Sequence, residues 1–256
     1  MDRPSRGGQE LTPHAELRLF CLPYAGGSAV AFQSWKRLAP RQIEVHPLEL
    51  PGRGTRGREA PLRRLAPLVR ELANTVEASL DRPYALFGHS LGGLVAFELA
   101  RDLRARGCPA PEHLFVSATA APGTPRTWPL IHCAPDAAVK QELRVLGGTP
   151  PELLDNDELM ELVLPVLRAD FSVIETYEYR EEPPLAVPIT VFGGRSDPVV
   201  TPASLAGWRQ HSSAACRLRL FPGGHFFVHS ATADLVATVA GLLRPTVDRS
   251  AGALRR

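Results

Sequence analysis

Short apolar or alternating runs recur along the chain at 17–22, 43–48, 84–87, 113–118, 188–192 and 216–221, each of strand length. Between most of them the apolar positions change to helical spacing, over about 30–39, 61–80, 91–106 and 201–210, with a last stretch near 230–244. Leu91, Leu94, Val95, Leu99 and Leu103 show the change most clearly, because steps of three and four put them on one face of a helix. Alternation of the two periods predicts an α/β fold: a mainly parallel sheet flanked by helices, with chemistry gathered at the strand carboxyl ends.

One connection breaks the rhythm. From about 120 to 186, roughly 65 residues separate two strands, more than a crossover helix requires. Within it Leu153, Leu154, Leu159, Leu162, Val163, Val166, Leu167, Phe171 and Ile174 recur at helical spacing, and Pro165 is expected to kink or divide that helix. The segment reads as an inserted helical lid whose apolar residues pack on the sheet and line an entrance, with Gly147-Gly148 ahead of Thr149-Pro150-Pro151 as a hinge. One domain is expected over 16–245. Residues 1–15 and 246–256 carry Arg, Ser, Gly and Pro without periodicity and read as disordered tails.

A chain of 256 residues suits a single α/β unit. Its 29 basic and 27 acidic residues leave +2, with no long block of like charge, so neither nucleic acid nor membrane is favoured as a partner. Cys21, Cys108, Cys133 and Cys216 are far apart and form no C-x-x-C pair, which argues for buried free thiols over a metal site or disulfide framework. Residues 1–10 hold no apolar signal core, and no run approaches the ~18 apolar residues of a membrane span. The expectation is a cytoplasmic protein.

The chemistry is concentrated where the run 84–87 enters Gly88-His89-Ser90-Leu91-Gly92 and leaves as a helix. Gly-x-Ser-x-Gly at a strand-to-helix turn holds a serine out at the sheet edge, because the flanking glycines let the two elements approach. Without that role the same turn would carry an idle serine. If Ser90 is a nucleophile, the amide of Leu91 at the helix start faces the same space and can stabilise an oxyanion.

A serine hydroxyl needs a base, and the base needs an orienting acid. The run 188–192 enters Gly193-Gly194-Arg195-Ser196-Asp197, and the run 216–221 enters Pro222-Gly223-Gly224-His225. Asp197 and His225 therefore stand on loops past successive strands, in the chain order Ser, Asp, His. Their simpler roles would be a turn or helix-cap carboxylate and a loop imidazole. Asp136, Asp155, Asp157 and Asp170 of the insertion, with Asp81 and Asp102, read as solvated, while His89 and His229 are competing imidazoles read as structural. A second oxyanion amide is expected from Leu22-Pro23-Tyr24-Ala25-Gly26-Gly27-Ser28, on Ala25 or Tyr24 and preferably Ala25. That loop lacks the residues of a phosphate or dinucleotide motif, and no cofactor is expected.

Taken with Leu50-Pro51-Gly52-Arg53-Gly54, Leu164-Pro165-Val166-Leu167-Arg168-Ala169-Asp170-Phe171 and Gly223-Gly224-His225-Phe226-Phe227, these motifs resemble the stand-alone type II thioesterases of polyketide and nonribosomal peptide synthases. The resemblance spans about 17–244. It implies an α/β-hydrolase fold with a helical lid and an editing enzyme that hydrolyses acyl thioesters from the phosphopantetheine arm of acyl or peptidyl carrier proteins. Arg53, Arg56, Arg58, Arg63 and Arg64 form a local basic cluster suited to docking an acidic carrier, or otherwise a solvated face. The chain is expected to act as a monomer. The alternatives are a small-molecule carboxylesterase on the same fold and a non-enzymatic receptor or interaction protein.

Overall fold

The computed structural model describes residues 15–126 and 128–253. β1 (Leu17–Leu22), β2 (Ile43–Pro47), β3 (Tyr84–His89), β4 (Leu114–Ser117), β5 (Ile189–Gly194) and β6 (Cys216–Phe221) form an all-parallel sheet in the order β2-β1-β3-β4-β5-β6. Pairing such as Leu19 with Ala85, Leu86 with Leu114 and Val116 with Val191 aligns the carboxyl ends of β3, β4 and β5. The strands stand where the short apolar runs put them, with ends differing by at most two residues.

Period-two alternation divides the core between two faces. Phe20, Leu22, Leu86, Val116 and Val191 pack with α2 (Leu65–Glu77) and α3 (Leu91–Ala105), while Leu19, Cys21, Phe87, Phe115 and Phe192 pack with α1 (Gln33–Leu38) and the carboxyl-terminal helix. The stretch expected as a helix over 30–39 is a 3-10 turn, Ala29–Phe32, followed by α1.

The long connection holds α4 (Asp136–Leu146), α5 (Pro151–Leu154) and α6 (Asp157–Glu175). Ile131, Val139, Leu143, Leu154, Met160 and Leu164 give it an apolar core of its own, which meets the main body at Ala25 and Ile174. Pro165 does not divide α6. Its missing N–H removes one helical bond, but Leu164 and Leu167 on either side are buried and hold the helix together. Gly147 ends α4 in the left-handed conformation, φ 75°.

After β5 come α7 (Pro202–Ala206), then β6, α8 (Phe227–Ser230) and α9 (Thr232–Ala253). The disordered tail expected from 246 is, as far as 253, the end of α9. Thr246 is buried there, its Oγ1 donating to Glu112 Oε2 at 3.0 Å, and Arg249 reaches the same carboxylate at 2.9 Å. A composition of Arg, Ser, Gly and Pro had masked a helix stabilised from outside. Of the tail expected over 1–15, residues 1–14 lie outside the described residues. The cysteines are free, but Cys21 alone is fully buried: Cys108 and Cys216 are half-buried and Cys133 is exposed. No helix among the described residues is long and apolar enough to cross a membrane.

Candidate active site

Ser90 sits between β3 and α3 with φ 54° and ψ −119°, a backbone conformation that L-residues rarely adopt. The turn closes only because residue 88 is glycine: a Cβ there would fall 1.9 Å from Gly92 O. Ser90 N–H donates to Ser117 O at 2.7 Å, and Ser90 O accepts from Gly93 N–H at 2.9 Å and from Thr119 Oγ1 at 2.7 Å. The strained residue is thus tied to β4 and the loop after it.

The loops after β5 and β6 bring Asp197 and His225 to this serine. Ser90 Oγ lies 3.0 Å from His225 Nε2, and His225 Nδ1 lies 2.8 Å from Asp197 Oδ2. A carboxylate can only accept, so Nδ1 carries the proton and Nε2 is left to accept from the hydroxyl. Asp197 Oδ1 accepts from the amides of Val199 and Val200, each at 2.9 Å. Both roles open to Asp197 are therefore filled, one oxygen shaping the turn and the other holding the imidazole. Burial alone would raise its carboxyl, but the hydrogen bond and charge of His225, joined by the two amides, outweigh it and hold the pKa below the ordinary range.

The competing imidazoles are engaged elsewhere. His89 is buried with Nδ1 2.8 Å from Ser117 Oγ. Burial, then the neighbouring His225 and His229, push its pKa well down and keep it neutral. His229 Nε2 meets Tyr24 Oη at 2.8 Å.

Leu91 opens α3 beside Ser90, and Ala25 lies on the loop after β1; among the described residues neither amide donates to a protein acceptor. Both line a cavity of about 330 Å³ together with Ser90 and His225. Phe171 and Ile174 of the insertion form part of its largely apolar wall. Acyl chemistry at Ser90 would thus take place under the insertion, beside two free amides.

Two charged residues are not where the sequence reading put them. Asp170, expected to be solvated, is 1% exposed, and Arg53, expected in a surface cluster, is 8% exposed. They form a two-pronged ion pair, Nη1 to Oδ2 at 2.5 Å and Nη2 to Oδ1 at 2.7 Å. Burial of either charge alone would be costly, so each accounts for the other's place. Arg56 is also committed, to Glu59 and Glu71, leaving Arg58, Arg63 and Arg64 exposed. Asp136, Asp155 and Asp157 are exposed as expected, paired with Arg168, Arg144 and Lys140. Thr119 and Glu175 are buried polar residues as well. Glu175 has a buried carboxylate that accepts from the amides of Ile131 and His132 at 2.9 and 3.0 Å. No local motif marks either residue, because Ser90, which Thr119 holds, and Ile131 and His132, which Glu175 holds, are distant in the chain.

The thioesterase domain model matches residues 17–243. The gramicidin S biosynthesis protein GrsT of Aneurinibacillus migulanus is 43% identical over 230 residues, 90% of each chain. Among solved structures, the RedJ thioesterase of the prodiginine biosynthetic pathway in Streptomyces coelicolor aligns with TM-score 0.85 and 38% identity over 94% of this chain and 91% of its own. YbtT, the type II thioesterase of the yersiniabactin NRPS/PKS pathway, aligns with TM-score 0.83 and 34% identity over 96% and 97%. The fold is that of the α/β-hydrolases, and the chain belongs to the thioesterase family, with type II thioesterases of NRPS/PKS pathways as its relatives.

Proposed function

We propose that this thioesterase is a monomeric editing enzyme that hydrolyses acyl groups from the phosphopantetheine arm of carrier proteins, with Ser90 as nucleophile, His225 as base and Asp197 as its orienting acid. The supporting observation is the unbroken line from Asp197 Oδ2 through His225 to Ser90 Oγ, with contacts of 2.8 and 3.0 Å, opening onto a largely apolar cavity.

In this reading Ser90 Oγ adds to the thioester carbonyl carbon while its proton passes to His225 Nε2. The carbonyl electron pair moves onto oxygen, held by the Leu91 and Ala25 amides. Collapse expels the pantetheine sulfur, which takes the proton from His225; a thiolate leaves readily, so this acid step matters less than in amide cleavage. Water, deprotonated by the same imidazole, then attacks the acyl-serine, and the acid departs as Ser90 regains its proton. The cavity under the insertion suits a short acyl chain delivered on a thin arm.

The test loads carrier protein with several acyl groups and follows their loss by intact mass, with Ser90→Ala in parallel and a simple aryl ester as competing substrate. Rapid deacylation of the carrier, abolished in Ser90→Ala, is expected. Equal deacylation by that variant would overturn the mechanism, and turnover of the aryl ester alone would favour a carboxylesterase.

A further inference from the structure

The loop that carries the Ala25 amide is held from outside the sheet. Gly26 N–H donates to Asp170 Oδ2 at 2.7 Å, and the same carboxylate is gripped by Arg53, whose Nη1 also lies 3.3 Å from Gly27 O. Arg53 is anchored in turn by Pro51 O, 3.4 Å from Nε and 3.3 Å from Nη2. Asp170 belongs to α6, so a helix of the insertion supplies the acceptor. Leu167, one turn earlier, presses on the same spot: Gly26 has φ 74°, and a Cβ there would fall 2.6 Å from Leu167 Cδ2.

These bonds act on the direction of one N–H. The Tyr24 carbonyl and the Ala25 amide share a single peptide plane, and that carbonyl accepts from Gly27 N–H at 2.9 Å. The next plane contains Gly26 N–H, fixed by Asp170. Ala25 is therefore clamped on both sides, and its amide keeps one orientation without spending its own hydrogen. An oxyanion donor works by being aimed before the charge develops, so a loop held in this way is the feature that matters to rate.

We infer that Asp170, locked by Arg53, is a positioning residue that aims the Ala25 amide, so that the insertion contributes to transition-state stabilisation as well as covering the cavity. The inference rests on the reading of Ser90 and Ala25 given above. It does not require either charged group to touch the substrate.

The experiment compares the parent enzyme with Asp170→Asn and Arg53→Lys. Four quantities are measured for each: kcat, expressed per titratable serine, and KM on acyl-carrier substrate; the Kd of a trifluoromethyl ketone, whose carbonyl Ser90 attacks to form a tetrahedral oxyanion; and the Kd of a thioether substrate analogue that forms none. Both variants should lose about 10- to 100-fold in kcat, in line with a misdirected oxyanion donor. The ketone should weaken by the same factor, with KM and thioether binding within about twofold of the parent. A lower melting temperature with kcat per site and ketone affinity unchanged would make the pair purely structural and overturn the inference. Should Asp170→Asn fail to fold, Arg53→Lys, which keeps the buried charge but loses the fork, decides the matter by the same measurements. Ser90→Ala, run alongside, separates the two levels: full activity in that variant would remove the underlying mechanism, whereas its inactivity with unaltered Asp170→Asn kinetics would remove only the positioning role.

Discussion

Thr119 Oγ1 donates to the main-chain carbonyl of Ser90 at 2.7 Å, so a residue just past β4 helps hold the strained turn that follows β3. The same hydroxyl lies 3.0 Å from Ser117 O, and Trp208 Nε1 donates to Thr119 O at 2.8 Å, fixing the threonine from the far side. Thr119→Val keeps the shape and removes the donor. Ser90 O would retain its bond from Gly93, so the fold should survive with a loss of about 1–2 kcal/mol in urea unfolding. Acylation in single-turnover kinetics should slow about tenfold as the serine gains freedom, and an unchanged rate would show that the turn is held without this bond.

Asp197→Asn would leave the turn acceptor for Val199 and Val200 nearly intact while withdrawing the charge that selects the imidazole tautomer. The expected result is a kcat lower by about 10²–10⁴-fold with KM little altered. Because the Asp197 carboxyl lies below its ordinary value of 3.8, its stabilising contribution is complete above that pH and is lost as pH falls through the lower folded value. Melting curves of parent and variant should accordingly differ at neutral pH and converge only in strong acid.

His113 offers a second pH dependence, far from the serine. Its ring stacks on Phe115 with Nε2 2.8 Å from Thr190 Oγ1, and burial, assisted by Arg217, pushes its pKa down to about 4 from 6.5. The unfolded chain thus binds this proton at a higher pH than the folded one. Its contribution is whole above pH 6.5 and drains away as pH falls towards 4, at a cost of order 3 kcal/mol. In urea unfolding at pH 7, 5 and 4, His113→Gln should lose less stability than the parent over that interval. Parallel curves would show that another group controls it.

Of the basic cluster after β2, Arg58, Arg63 and Arg64 are exposed and form no ion pair among the described residues, which suits them to an acidic carrier of the kind proposed above. Reversing all three to Glu should raise KM for acyl-carrier substrate about tenfold, steepest at low salt, and leave kcat on a small acyl thioester unchanged. An unaltered KM would mean that the carrier docks elsewhere.

What could be read from the chain follows the range over which each signal acts. β1 and β6 were legible to the residue, because their patterns are local, as was the strand-to-helix turn at Ser90. The loops bearing Asp197 and His225 were legible from the order of elements, and the folded chain brings those side chains to Ser90. Asp170 and Arg53 were misread, since an isolated Asp or Arg reads as solvated and only contact across 117 positions reveals a buried pair. The undivided course of α6 past Pro165 and the helical end of α9 depend on distant contacts for the same reason: burial of Leu164 and Leu167, and the bonds of Thr246 and Arg249 to Glu112, outweigh local composition. Thr119 had no legible role because its work is done on a main-chain oxygen.

The insertion's separate apolar core has a consequence for the shape of the chamber. Leu143 belongs to that core and also lines the cavity, so a substitution there reaches the chamber from a cluster separate from the two that pack on the sheet. A change in the shape of the chamber can therefore arise in the insertion alone, where truncating a buried side chain costs about 2–5 kcal/mol, and Gly26, Leu167 and Asp170 mark the seam with the loop after β1.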